Sequence, residues 1–207
     1  MAKWHFLFVV LCWWSLPVAA APSGGLVQLH GDRFIVDLRY NTEDNFLKKN
    51  VYREFGLDRC YVHADLAMRL QRLVPLLTTQ KLRLVLWDCY RPLAVQRAMW
   101  KLVPDRRYVA DPKVGSHHNR GIAVDVTLAD ETGQRLAMPT GFDDFTAKAS
   151  PHYRCPAQEQ QTCAHRARLI GLMKEIGLKP LNSEWWHYQL RPTVGYPIVP
   201  ALDGSTP

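Results

Sequence analysis

"SHHNRGIAVDV", residues Ser116–Val126, sets two adjacent histidines just ahead of an apolar run that a single acid interrupts. In the longer run "IAVDVTL" (122–128), period-two alternation puts Ile122, Val124, Val126 and Leu128 on one face of a strand. Ala123, Asp125 and Thr127 fall on the other face. Asp125 therefore points away from the most apolar side, with small neighbours that leave room in front of it. A carboxylate in a buried strand is costly unless it is paired or coordinates a metal. Gly121 lets the chain turn sharply before the strand, so an upstream histidine can fold back toward Asp125.

Working outward, "LRLVLWD" (82–88) is a β-rich apolar run that predicts a central strand, and "EWWHYQL" (184–190) predicts the last one. "LVQLHGDRFIVDLRYNTEDNF" holds short strand-like pieces that run into a polar turn at 41–44. Leu66, Leu70, Leu73, Val74 and Leu77 recur at helical spacing in "HADLAMRLQRLVPLL", where Pro75 bends the helix or ends its regular part. "YRPLAVQRAMWKL" predicts a second helix with Pro92 in its first turn. "TCAHRARLIGLMKEIG" predicts a third, closed by Gly177. Residues 104–117 read as loop, and "VPALDGSTP" (199–207) as a frayed tail. Strands and helices mix without regular alternation, which predicts a compact α+β domain.

The chain has 207 residues, 47% hydrophobic and 22% charged, enough for one ordinary domain with a real core. Its net charge of +7 is spread along the sequence rather than striped along one helix, so no nucleic-acid partner is expected. Residues 1–21 combine Lys3, an apolar stretch from Phe6 to Leu16, Pro17 and small residues that fit cleavage after Ala20 or Ala21. This pattern predicts a signal peptide, leaving a mature domain of residues 22–207 in the periplasm or cell envelope of a bacterium. The stretch is too short for a retained anchor, so no stable membrane insertion is expected after cleavage. With Cys12 removed, four cysteines remain, and an even count in an exported chain suggests two disulfides with three connectivities. Proximity favours Cys155–Cys163 and Cys60–Cys89; the alternative is buried free thiols.

A second cluster, "SEWWHY", places Glu184 three residues before His187. A catalytic zinc wants three protein ligands, an open position for water and a nearby carboxylate that is not a ligand. His118, Asp125 and His187 can supply the ligands and Glu184 the base. In a fully extended strand Glu184 and His187 would face opposite ways, so Glu184 is expected at the strand mouth, where the backbone is not yet regular. The residues alone also allow a bland reading, with Asp125 a salt-bridged core acid and His187 a hydrogen-bonded histidine among aromatics.

Ser116-x-His118-x-x-Gly121-x-Ala123-x-Asp125, followed by Glu184-x-x-His187, resembles the zinc peptidases that cleave D-alanyl-D-alanine. "DLRYNTEDNF" (37–46), "LWDCYRP" (86–92) and "MPTGFDDF" (138–145) narrow the resemblance to the D-alanyl-D-alanine dipeptidases of the VanX type, from about Val36 to Leu190. It implies a single domain with a small, mostly antiparallel sheet flanked by helices, as in the D-Ala-D-Ala metallopeptidase and hedgehog-like fold. It also implies one zinc per chain on His118, Asp125 and His187, Glu184 as general base and acid, and Arg91 as the residue that stabilises the transition state. His117 would be a neighbour rather than a ligand. Tyr40 and Asp143 match positions around the substrate's amino end, and Ser116 one near its carboxylate; a cap or turn role for Ser116 or Asp143 remains open.

The implied substrate is a small D,D-dipeptide. The alternative is a D,D- or L,D-carboxypeptidase on peptidoglycan stems, with the same chemistry and an open amino-side cleft. A non-catalytic zinc-binding domain would need neither Glu184 nor Arg91. A Cys60–Cys89 bridge would brace the loop of Arg91, and a stapled "SPHYRCPAQEQQTC" (150–163) would lie just after Asp143.

Overall fold

The computed structural model describes residues 25–200 apart from Arg107. The expected signal segment, its cleavage site and Cys12 lie outside the described residues, as does most of the expected tail. β1 (Leu26–Gln28) pairs antiparallel with β3 (Tyr61–His63) as a two-stranded ribbon. The main sheet runs β2 (Phe34–Val36), β4 (Leu82–Asp88), β5 (Ala123–Asp130), β7 (Glu184–Gln189) and β6 (Lys179–Leu181) from edge to edge. Only β2–β4 is parallel; the other pairs are antiparallel. Helices α1 (Ala64–Gln71), α2 (Val74–Thr79), α3 (Leu93–Leu102) and α4 (Gln160–Glu175) flank it. The fold is the expected α+β arrangement.

β4 and β5 are the most apolar strands because both of their faces are covered. Leu84, Leu86, Val124, Val126 and Leu128 are all fully buried. Among the described residues no helix is long and apolar enough to cross a membrane. Both cysteine pairs favoured by proximity are bonded: Cys60–Cys89 and Cys155–Cys163.

Four details differ from the expectations. The helix expected across Leu66–Leu77 is two helices, parted at Arg72 and Leu73, with Pro75 in the first turn of α2. Pro92 stands just ahead of α3 as its cap residue, extended at ψ 144°. Val199 is no frayed end: it is 4% exposed, its N–H donates to the Asn119 carbonyl (2.9 Å), and its own carbonyl accepts from the Tyr90 hydroxyl. The short strand β6, absent from the sequence reading, carries Pro180 on an edge.

Two irregularities aim side chains at one end of the sheet. Between Leu86 and Asp88 the β4–β5 register slips, so that Asp88 rather than Trp87 stands opposite Asp125. At the start of β7, Leu181 pairs with Glu184 while Pro180 pairs with Tyr188. Just before β5, Gly121 adopts φ 66° and closes the turn His118–Arg120. A Cβ there would stand 2.3 Å from a Leu26 methyl and 3.0 Å from the His63 amide nitrogen, so glycine is required by conformation and by space.

Candidate metal centre and substrate pocket

Asp125 and His187 are direct cross-strand partners on β5 and β7, and the turn before β5 lays His118 over both. His187 Nδ1 lies 2.9 Å from Asp125 Oδ1, His118 Nε2 lies 3.4 Å from the same oxygen, and the two ring nitrogens are 3.2 Å apart. All three residues are buried. His118 Nδ1 sits 2.8 Å from the Cys89 carbonyl, which can only accept, so Nδ1 carries the proton and Nε2 turns a lone pair inward. A carboxylate and imidazole lone pairs converging at these separations suit a small tetrahedral cation, whose ligand atoms at about 2.0–2.1 Å would be roughly 3.3 Å apart. Burial alone would raise the Asp125 carboxyl, but His118 and His187 outweigh it and hold the group well below the usual carboxylate range.

Glu184 is the first residue of β7, at the register slip, and its Oε2 lies 3.9 Å from His187 Nδ1. It stands beside the three donors without joining them. Burial, and then the charge of Asp125, push its carboxyl above the ordinary value, with His187 acting in the opposite sense. Such a group accepts a proton more readily than an exposed glutamate.

Arg91 is 8% exposed and fixed on several sides. Nε and Nη2 donate to Asp88 Oδ2, the first at 3.0 Å, and Nη1 donates to Gln96 Oε1 at 2.9 Å. Its guanidinium carbon lies 5.0 Å from the Tyr40 ring centre. Asp88 itself also accepts from the Tyr52 hydroxyl and the Cys89 amide. Among the described residues these bonds use three of the five guanidinium N–H groups, and Arg91 lines the pocket.

The pocket, about 300 Å³, is lined by Glu184, Arg91, the three donors, Ser116, Tyr40 and Asp143. Asp143 holds the left-handed conformation at φ 56°, unusual for a residue with a side chain. Tyr40 donates its hydroxyl to Oδ1 (3.1 Å) and the Phe46 amide donates to Oδ2 (3.2 Å). Burial, with Asp125 adding to it, raises the Asp143 carboxyl to about 7. Ser116 caps the turn, its Oγ accepting from the His118 amide at 3.2 Å, while also lining the pocket. His117 is half-buried, outside the donor cluster, and its imidazole is lowered to about 4, chiefly by burial.

Residues 26–198 match the M15 peptidase family, described as D-ala-D-ala dipeptidase. The chain belongs to this family. It is therefore a metallopeptidase. A D-alanyl-D-alanine dipeptidase of Escherichia coli (strain K12) is 34% identical over 164 residues, 79% of this chain and 82% of the relative. One from Enterococcus faecium is 31% identical over 182 residues, 79% and 88% of the two chains. A third, from Streptomyces coelicolor, is 31% identical over 179 residues, 75% and 85%. Sequence reasoning missed Gln189, which lines the M15 pocket of this chain, and Tyr52 and Gln96, which hold Asp88 and Arg91. Gln96 and Gln189 sit in an amphipathic helix and an aromatic strand as ordinary-looking polar residues, and only the structure shows that they are buried.

Proposed function

We propose that this chain is an exported zinc D,D-dipeptidase that hydrolyses D-alanyl-D-alanine to two D-alanines. One observation carries the reading: a pocket of dipeptide size has the donor cluster, Glu184 and Arg91 at one place and the Asp143 carboxylate at another, within one aromatic enclosure. Tyr40, Phe46 and Phe142 form edge contacts, and Phe46 and Tyr108 meet Phe145 at 5.5 and 4.5 Å. An acid held in such a wall suits a free ammonium group and leaves little room for an acylated one. The names of the relatives, all D-alanyl-D-alanine dipeptidases, support the same substrate.

His118 Nε2, Asp125 Oδ1 and His187 Nδ1 would hold one zinc ion, which when bound polarises the scissile carbonyl and lowers the pKa of its water to roughly 7. Glu184 takes the proton of the attacking water and returns it to the leaving amine. Arg91, locked by Asp88 and Gln96, directs its remaining N–H groups at the charge that develops on the carbonyl oxygen. Asp143 and Tyr40 fix the substrate's amino end, and Ser116 lies where its carboxylate would be met. The two disulfides accord with an oxidising compartment, and with the leader-like residues 1–21 they support residence in the periplasm or cell envelope. The test is D-alanine release from D-alanyl-D-alanine by purified protein carrying one zinc per chain. Absence of release at full zinc occupancy contradicts the proposal.

A further inference from the structure

Gln189 closes β7 two residues beyond His187, cross-strand from Ala123, whose methyl leaves room for an amide. It is 4% exposed. Its Oε1 lies 3.0 Å from His187 Nε2, and its amide nitrogen lies 3.5 Å from His117 Nε2. We infer that Gln189 is a positioning residue for the metal centre, holding His187 in the tautomer and orientation that turn the Nδ1 lone pair toward His118 and Asp125, with His117 steadying the amide from the pocket side. The inference rests on the zinc reading above.

A neutral imidazole has one N–H to place. If it sits on Nε2 and is donated to Gln189, Nδ1 is free and the centre has three donors. If it sits on Nδ1, it points at Asp125, 2.9 Å away, and the centre becomes a hydrogen-bonded cluster with one ligand lost. The face of the Gln189 amide that meets His187 therefore decides between a metal site and a buried polar network. An amide can turn either face, and His117 supplies the bias in the tautomer whose Nε2 lone pair faces the NH₂ group 3.5 Å away, which keeps Oε1 on the His187 side.

The two histidine ligands are thus oriented differently. His118 leans on the Cys89 backbone carbonyl, which no side-chain substitution deletes; His187 leans on a side chain, which one can. Outer partners of this kind commonly govern metal affinity by about 10–100-fold. Uncharged, the amide orients the ring without adding to the negative charge of Asp125.

Zinc affinity measured by chelator competition on wild type, Gln189→Leu and Gln189→Glu tests this, together with histidine ¹⁵N NMR of the zinc-loaded protein. Gln189→Leu is expected to bind zinc about 10–100-fold more weakly, whereas Gln189→Glu, which keeps an acceptor, stays at or above wild-type affinity. Wild type should show the His187 ring proton on Nε2, protected from exchange, and Gln189→Leu should lose that protection. Wild-type affinity in Gln189→Leu, or a ring proton on Nδ1 in wild type, overturns the inference. Should Gln189→Leu fail to fold, the wild-type proton position and the Gln189→Glu affinity still decide. A wild type that takes up no zinc removes the zinc reading and this inference together; a zinc-binding wild type with an indifferent Gln189→Leu removes this inference alone.

Discussion

Glu184 and His187 lie three residues apart in a strand, where regular alternation would set them on opposite faces, yet their polar atoms are 3.9 Å apart. The register slip at the start of β7 reconciles the two. If Glu184 moves protons and holds no metal, Glu184→Gln keeps one zinc per chain while kcat falls by about two orders of magnitude or more, checked by elemental analysis beside steady-state kinetics. The neighbouring histidines should separate: His118→Ala loses stoichiometric zinc, whereas His117→Ala keeps one zinc per chain, at an affinity lowered only through its contact with Gln189. Asp143 allows a prediction independent of turnover. Its carboxyl is raised to about 7, so between its ordinary value near 4 and pH 7 the folded chain holds a proton that the unfolded chain has released. Stability contributed by this site therefore falls as pH rises through that window. Urea unfolding should show Asp143→Asn gaining on wild type between pH 5 and pH 8 by at least about 1 kcal/mol, one pKa unit's worth. An equal difference at both pH values would show that Asp143 ionises normally. Asp125 stood out in the sequence because a lone acid in an apolar strand is costly unless it is paired or metal-bound, whereas the choice of His118 over His117 came from the resemblance and not from the local pattern. Gln96 and Tyr52 did not stand out, because their roles arise from contacts 5 and 36 residues away that no local pattern encodes.

β4, β5 and β7 were readable as elements because buried strands rich in branched and aromatic residues leave an unmistakable pattern. The split between α1 and α2 was harder, since the apolar spacing continues through it and only Pro75 marks the break. β6 is three residues long with a proline inside, and it exists by pairing with β7 rather than by propensity. The bulge at the end of β4 is likewise a tertiary feature, yet it sets Asp88 beneath Arg91. Cys89 adjoins that bulge: its amide donates to Asp88, its carbonyl orients His118, and its sulfur is tied to Cys60 at the base of β3. The Cys60→Ser, Cys89→Ser double variant should lose about 2–4 kcal/mol in urea unfolding. Its zinc affinity should fall too, unlike that of Cys155→Ser, Cys163→Ser, whose bridge does not line the pocket. Gly121→Ala should cost about 1–3 kcal/mol, because it adds left-handed strain to a clash with β1 and β3.

At the scale of the whole molecule, one end of a five-stranded sheet gathers two kinds of recognition into a pocket of about 300 Å³. Arg91 comes from the loop after β4, His118 from the turn before β5, Asp125 from β5, and Glu184 and His187 from β7. Asp143, the acid proposed to meet the substrate's ammonium group, comes from the loop 138–146, walled by aromatics from three segments. On the proposed reading, that division would make the enzyme a dipeptidase rather than a carboxypeptidase, and it is the central claim. Acylating the substrate's amine removes its charge and adds bulk against the wall, leaving the Asp143 carboxylate with its Tyr40 and Phe46 hydrogen bonds but no counter-charge. Discrimination by a site of this kind can reach roughly four orders of magnitude in kcat/KM. The decisive measurement compares kcat/KM for D-alanyl-D-alanine and its N-acetyl form on zinc-loaded protein. The account predicts efficient cleavage of the free dipeptide and almost none of the acylated one, with Asp143→Ala narrowing the gap by damaging the former. Equal cleavage of the acylated peptide by wild type would contradict it and make the chain a carboxypeptidase.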